Sequence, residues 1–334
     1  MFTFFTWHDS VNRNKMPLSK KKNFIVNLWP VLKKSGMEFF SDSDFKLAAS
    51  LSYYTIFALP PLLIIIISVS GVFFGAEAVR GEIYGQITHL VGKDAALQIQ
   101  EMIRNAALSR DTVFATTIGV ITLIFGASGV FGEIQDSINR IWGIKAKPER
   151  GFIKLMRNRL ISFSMIVVLG FLLLVSLILN ALLDALSNKL QGYFPHLSVY
   201  LFYIINIGFL FALITVLFAI IFKTLPDGKV NWKDALIGST FTALLFMLGK
   251  SAIGLYLGNS SIAGTYGAAG SLIVILLWIY YSALILYFGA EFTKVFAYTF
   301  GKKIVPNDYA VYVEKQEVEK EVLKKSEEPK AQVA

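Results

Sequence analysis

The chain has 334 residues, of which 55% are hydrophobic and only 16% charged, with a mean hydropathy of +0.58. Soluble domains carry about 25% charged residues, so this composition excludes an ordinary soluble enzyme and points to an integral membrane protein. There is no cysteine, which excludes disulfides, thiol catalysis, cysteine-ligated zinc and iron–sulfur clusters; the net charge of +9 has meaning only through where the charges fall.

Residues 1–50 form a basic N-terminal region. Met1–Trp7 is apolar but too short for a signal peptide and lacks a basic lead. Lys20, Lys21 and Lys22 make a juxtamembrane basic patch. Phe24–Phe40 reads as an amphipathic helix on the inner membrane surface or as a plain topology signal. A spanning helix needs about 20 mostly apolar residues. Six segments qualify: Leu51–Phe74, Thr112–Phe131, Ile161–Leu183, Val199–Phe222, Ala235–Gly258 and Leu272–Ala297. They are continuous apolar runs and do not alternate, which argues against a β-barrel. Counted over alternate loops and tails, one side holds 25 Lys and Arg and the other 5. The positive-inside rule then places both termini in the cytoplasm. The expected fold is all-α, a polytopic bundle of six transmembrane helices over 51–297. An outer loop at 75–111 reads as amphipathic helix, and a charged tail at 298–334 as solvated or disordered.

Several spans carry unusual residues. Pro60 and Pro61 interrupt the first, so a kink or break is expected, with Ser52, Tyr53, Tyr54 and Thr55 available to rebond the freed carbonyls. A broken helix can line a cavity or simply pack with a kink. Residues 258–271, with Gly258, Gly264, Gly267 and Gly270 and no charge, read as a flexible outer hairpin or a partly buried turn. Lys250 lies eight residues before Gly258, roughly 12 Å below the outer end at about 1.5 Å per residue. It either snorkels to the outer headgroups or faces a cavity and holds an anionic group. Glu291, the candidate intramembrane acid, lies roughly 16 Å away in height from Lys250 and is better placed to pair with Lys294, three residues on. Glu77 and Glu82 are the more plausible partners for Lys250. Glu133, Asp136, Ser137 and Arg140 recur at helical spacing where the second span exits; with Asn139 they suggest a charge network at the cytoplasmic mouth. The bland alternative is an exposed salt-bridge face. His8, His89 and His196 fall in different compartments, and no HExxH, GxSxG or P-loop pattern occurs, so no catalytic residue, metal or cofactor is expected.

Four blocks carry a resemblance to a known family: LAASLSYYTIFALPPLLI (47–64), GASGVFGEIQDSINRIWGI (126–144), LPDGKVNWKDALIGSTFTALLFMLGKSAIGLYL (225–257) and YGAAGSLIVILLWIYYSALILYFGAEFTKVFA (266–297). The chain resembles the YihY/virulence factor BrkB family of bacterial inner-membrane proteins over about residues 38–300. The resemblance implies a six-span protein of the cytoplasmic membrane. It singles out Tyr53, Pro61, Glu133, Asp136, Asn139, Arg140, Pro226, Lys250, Gly267, Gly270 and Glu291. An older label in that family is a ribonuclease, but these residues offer no nuclease chemistry. Other members are linked to envelope lipid or lipopolysaccharide-precursor handling. The expected function is therefore a transporter-like protein, not an enzyme, that handles an anionic lipid or lipid-linked envelope precursor. Its partners would be anionic membrane lipids and not nucleic acid. The alternative is a membrane scaffold for envelope assembly, acting as a homo-oligomer or with envelope-assembly proteins.

Overall fold

A computed structural model describes residues 24–74, 129–147, 195–258 and 268–313, with a few isolated helical positions elsewhere. Among these residues the chain is mostly helical. Helix α1 (Phe24–Ser41) leads through a two-residue turn into α2 (Asp44–Phe74). Ser43 makes the turn with a left-handed φ of 66°, and its carbonyl accepts the first amides of α2. Helix α3 (129–141) ends at Gly143, whose φ of +66° closes the helix in the conformation glycine adopts without strain. Strand β1 (Ile144–Ala146) follows, then α4 (Pro195–Thr224), β2 (Gly228–Lys229), α5 (Trp232–Gly258), α6 (Ala268–Thr299), β3 (Val305–Pro306) and β4 (Ala310–Tyr312).

Among the described residues, three helical stretches are long and apolar enough to cross a membrane: Ile204–Thr224, Trp232–Ile253 and Leu272–Thr299. They coincide with the fourth, fifth and sixth predicted spans, and the first predicted span lies within α2. Most of the second span, the third span and most of the 75–111 loop lie outside the described residues, as do residues 1–23 and 314–334.

Helix α6 is the centre of the assembly and packs against α1, α2 and α5, while α4 packs on α5. Glycine and threonine set the α5–α6 distance. A Cβ on Gly238 would run into Thr293, one on Gly289 into Thr242, and one on Gly249 into the Tyr281 hydroxyl. Thr242 and Thr293 are buried and return their own hydroxyls to the Gly238 and Gly289 carbonyls, each at 2.7 Å. Small residues let apolar helices approach where lipid gives no hydrophobic drive to associate.

The structure corrects three expectations. Helix α2 is unbroken through Pro60 and Pro61. Ser52 and Thr55 do bond carbonyls, but those of Ala48 and Leu51. A helical hydroxyl reaches back one turn, so it cannot serve the Ile56 and Phe57 carbonyls freed by the prolines. The all-α expectation is modified by two short antiparallel ribbons, β1 with β4 and β2 with β3. They also correct the tail. Residues 302–313 fold back onto the loops after α3 and α4, with Ile304 buried against Gly228 and Tyr312 donating to the Ile304 carbonyl.

Candidate functional site

One end of the bundle gathers the α1–α2 turn, the end of α3, the α4–α5 loop and the end of α6. At its centre is the Lys294 ammonium, only 16% exposed. It lies 2.8 Å from Glu38 Oε2 of α1 and 2.8 Å from Glu291 Oε2 one turn back on α6, with Asp42 at 3.7 Å. It also donates to the Ile141 carbonyl at the end of α3 (2.7 Å). Glu291 is fully buried. Its contact with Lys294 is a charge pair rather than an aligned hydrogen bond. One cation thus ties three helices together, and removing either member of such a buried pair strands the other's charge. Beside it the Trp142 indole donates to the Ala290 carbonyl (3.1 Å). Tyr287, one turn before Glu291, is also fully buried, with Ser137 beside its hydroxyl.

A second polar centre lies in the α4–α5 loop. Asp227 is buried, and its two carboxylate oxygens each accept a 3.0 Å hydrogen bond, from the Gln135 and Asn139 side-chain amides of α3. Its own N–H donates to Asn139 Oδ1 at 2.7 Å, and its carbonyl accepts from Asn307 N–H. Asn139 and Asp227 therefore read each other through a closed pair of bonds, which fixes the loop against α3. Nearby, Asp234 in the first turn of α5 accepts from Lys302 N–H, and Gly301 lies so close that any Cβ would strike its carboxylate. An acid in the first helical turn also faces the positive end of the helix dipole.

The predicted site residues are thereby separated. Glu291 and Lys294 pair. Asn139 is buried on Asp227, whereas Asp136 and Arg140 are exposed and Glu133 is half-buried, so the supposed mouth network splits between two faces of α3. Tyr53 is exposed on α2, in edge contact with Phe57. Gly270 is buried at the start of α6. Gly264 and Gly267 lie outside the described residues, as do Glu77 and Glu82, and for Pro60 and Pro61 only the backbone is described. Lys250 is half-buried on α5, next to the Gly249–Tyr281 contact. Among the described residues it has no hydrogen-bond or ion-pair partner. Sequence reasoning missed Lys294 as a hub, and also Asp227 and Gln135. The i, i+4 spacing of Gln135 and Asn139 was a signal for one shared partner. Among the described residues no group of three or more His, Cys, Asp or Glu is placed to hold a metal.

The profile of the virulence factor BrkB family matches residues 38–309, which takes in the α1–α2 turn, both polar centres and β3. The chain belongs to that family. Curated relatives include a UPF0761 membrane protein of Pseudoalteromonas atlantica, 27% identical over 74% of this chain and 79% of its own length. Another, from Alteromonas mediterranea, is 25% identical over 83% and 92%, and one from Haemophilus influenzae is 29% identical over 81% and 93%. Their names give a membrane protein and no activity. No solved structure matches the chain.

Proposed function

We propose that this family member is a six-span protein of the bacterial inner membrane that binds and moves an anionic lipid or lipid-linked envelope precursor. The observation that carries the lipid reading is Lys250. It is a half-buried ammonium on an apolar helix with no partner among the described residues. A charge left alone there costs at least a few kcal/mol, which an anionic headgroup would offset. The transport reading adds that such a group, held part-way down a span, can be handed from one leaflet towards the other.

Parity supports six crossings with both termini on one side. Gly129 of α3 contacts Tyr54 of α2, and Ile141 reaches Lys294 beside Glu38, so α3 runs back along α2. This reversal fits the one return that the second predicted span would make before residue 141. Helix α4 ends at the same face, where β2 meets β3, so an odd number of crossings separates Ala146 from Pro195 as well. One each, at the second and third predicted spans, gives six. The Lys and Arg excess assigns that face to the cytoplasm.

The test is reconstitution into liposomes carrying fluorescent anionic lipid, read as dithionite-resistant fluorescence. Wild type and Lys250→Arg should exchange lipid faster than empty liposomes, and Lys250→Ala should not. Exchange that persists in Lys250→Ala removes Lys250 from the site. No exchange in wild type refutes lipid movement and favours the scaffold reading.

A further inference from the structure

Helix α1 has two apolar faces, and only one is used by the fold. Val31, Ser35 and Phe39 are buried, with Leu28 and Leu32, against the last turns of α6, where Val31 meets Phe292, Val295 and Phe296. At about 100° per residue the remaining positions share one arc of roughly 140°. That arc holds Trp29, Met37 and Phe40, which are 71%, 65% and 73% exposed. Phe45 at the start of α2 extends it, 5.5 Å from the Phe40 ring. Lys33, Lys34 and Lys46 are also exposed, although Lys34 leans to within 3.7 Å of Glu38. No acid joins them. Glu38 and Asp42 turn inward to Lys294, and Asp44 is buried.

The charge distribution selects the occupant. A face that interleaves Trp, Met and Phe with lysine, and whose partly exposed acids Glu38 and Asp42 are drawn towards Lys294, suits an anionic surface with an apolar layer just beneath it. That is the headgroup region of a bilayer containing anionic lipid. Its level agrees. Helix α1 lies beside the end of a spanning helix, where Trp and Lys side chains commonly sit. A protein partner would have to match apolar and cationic groups over the same arc.

We propose that the Trp29–Phe40 face of α1, with Phe45 and Lys46, is a docking surface for anionic lipid, bolted to the bundle by Glu38 and Asp42 through Lys294. It is separate from Lys250 and does not depend on the transport reading. The natural chain has no cysteine, so single cysteines at Met37→Cys and Phe40→Cys can carry an environment-sensitive dye without background. Both positions are exposed, so labelling leaves the packed face untouched. The full chain is placed in nanodiscs of phosphatidylcholine alone or with about 30 mol% phosphatidylglycerol. Quenching by a shallow lipid-borne nitroxide is compared with quenching by aqueous iodide.

With phosphatidylglycerol, the lipid quencher should reach both dyes and iodide should be at least about twofold less effective than without it. The Lys33→Glu/Lys34→Glu/Lys46→Glu variant should lose that difference while eluting as the same monodisperse species. Iodide reaching both dyes equally in the two bilayers overturns the proposal. Protection from both quenchers overturns it too, because protein then covers the face. Lipid quenching that is indifferent to phosphatidylglycerol and to the charge reversal refutes the anionic selection.

Discussion

Replacing Gly289 by alanine should push α5 and α6 apart. The added Cβ would stand 2.7 Å from Thr242 Cγ2 and 2.9 Å from Thr242 Cβ, and closer still to Oγ1. Rotating the threonine does not relieve this, because its Cβ is fixed to the backbone and each rotamer brings another γ group forward. The rotamer is also held by the 2.7 Å bond from Thr242 Oγ1 to the Gly238 carbonyl. The helices must therefore separate, loosening the Gly238–Thr293 contact one turn away as well. Overpacking of this kind costs about 1–3 kcal/mol, and a site unable to relax lies near the top of that range. Alanine returns about 1 kcal/mol through helix propensity. The net loss is about 2 kcal/mol, or roughly 30-fold in the folded-to-unfolded ratio. Gly208→Ala on α4 is the internal control, since a Cβ there meets nothing within 4 Å, and it should be neutral or stabilising. Detergent-solubilised protein titrated with SDS, with helix loss followed by circular dichroism, measures both. The Gly289→Ala/Thr242→Gly double variant should recover at least part of the loss. A Gly289→Ala protein as stable as Gly208→Ala would show that these contacts do not set the helix separation.

Lys294→Ala should cost about 3–5 kcal/mol in the same titration, because Glu291 keeps a buried charge while α1 loses its tie, and Glu291→Met/Lys294→Met should be more stable than Lys294→Ala. Asp227→Asn turns one acceptor into a donor facing the Gln135 or Asn139 amide, so it should cost about 1–3 kcal/mol, seen as a lower SDS midpoint. Removing residues 302–334 takes away β3 and β4 and should increase proteolysis within the 144–147 and 225–231 loops. Removing 314–334 leaves both ribbons and should not.

The spanning helices were legible because the bilayer imposes their length. Predicted Val199–Phe222, Ala235–Gly258 and Leu272–Ala297 fall inside α4, α5 and α6, which run two to four residues further except at Gly258, where the two ends coincide. The extra residues, such as Lys223 and Thr224 after Phe222 or Trp232–Asp234 before Ala235, are too polar to extend the hydropathy signal. The ribbons were not legible. Two- and three-residue strands show no period, and their pairing joins residues far apart, such as Ile144 with Tyr312. At the polar centres the division is the same. Glu291 with Lys294 follows from i, i+3 spacing. Glu38 with Lys294, or Gln135 with Asp227, is a tertiary pairing across most of the domain, and nothing local in the sequence encodes it. The proline pair does not break α2, because a membrane helix tolerates missing donors that would end a helix in water.

On the proposed function the two lysines of the last two spans, Lys250 and Lys294, do different work, and burial alone does not distinguish them. Lys294 is surrounded: it donates to the Ile141 carbonyl at 2.7 Å, with two carboxylates at 2.8 Å and a third at 3.7 Å. A cation so enclosed by its own acids has little to offer a ligand, and its loss should be read in stability. Lys250 carries the same charge with its donors unspent among the described residues, so on the proposed function its loss should be read in lipid exchange. Measured on both variants, the pair of readouts gives a cross: Lys294→Ala lowers the SDS midpoint, and its residual folded fraction exchanges lipid at the wild-type rate per molecule. Lys250→Ala keeps the midpoint and loses exchange. If both variants move both readouts together, the two lysines belong to one coupled element, and the separation of a structural end from a lipid-binding span is wrong.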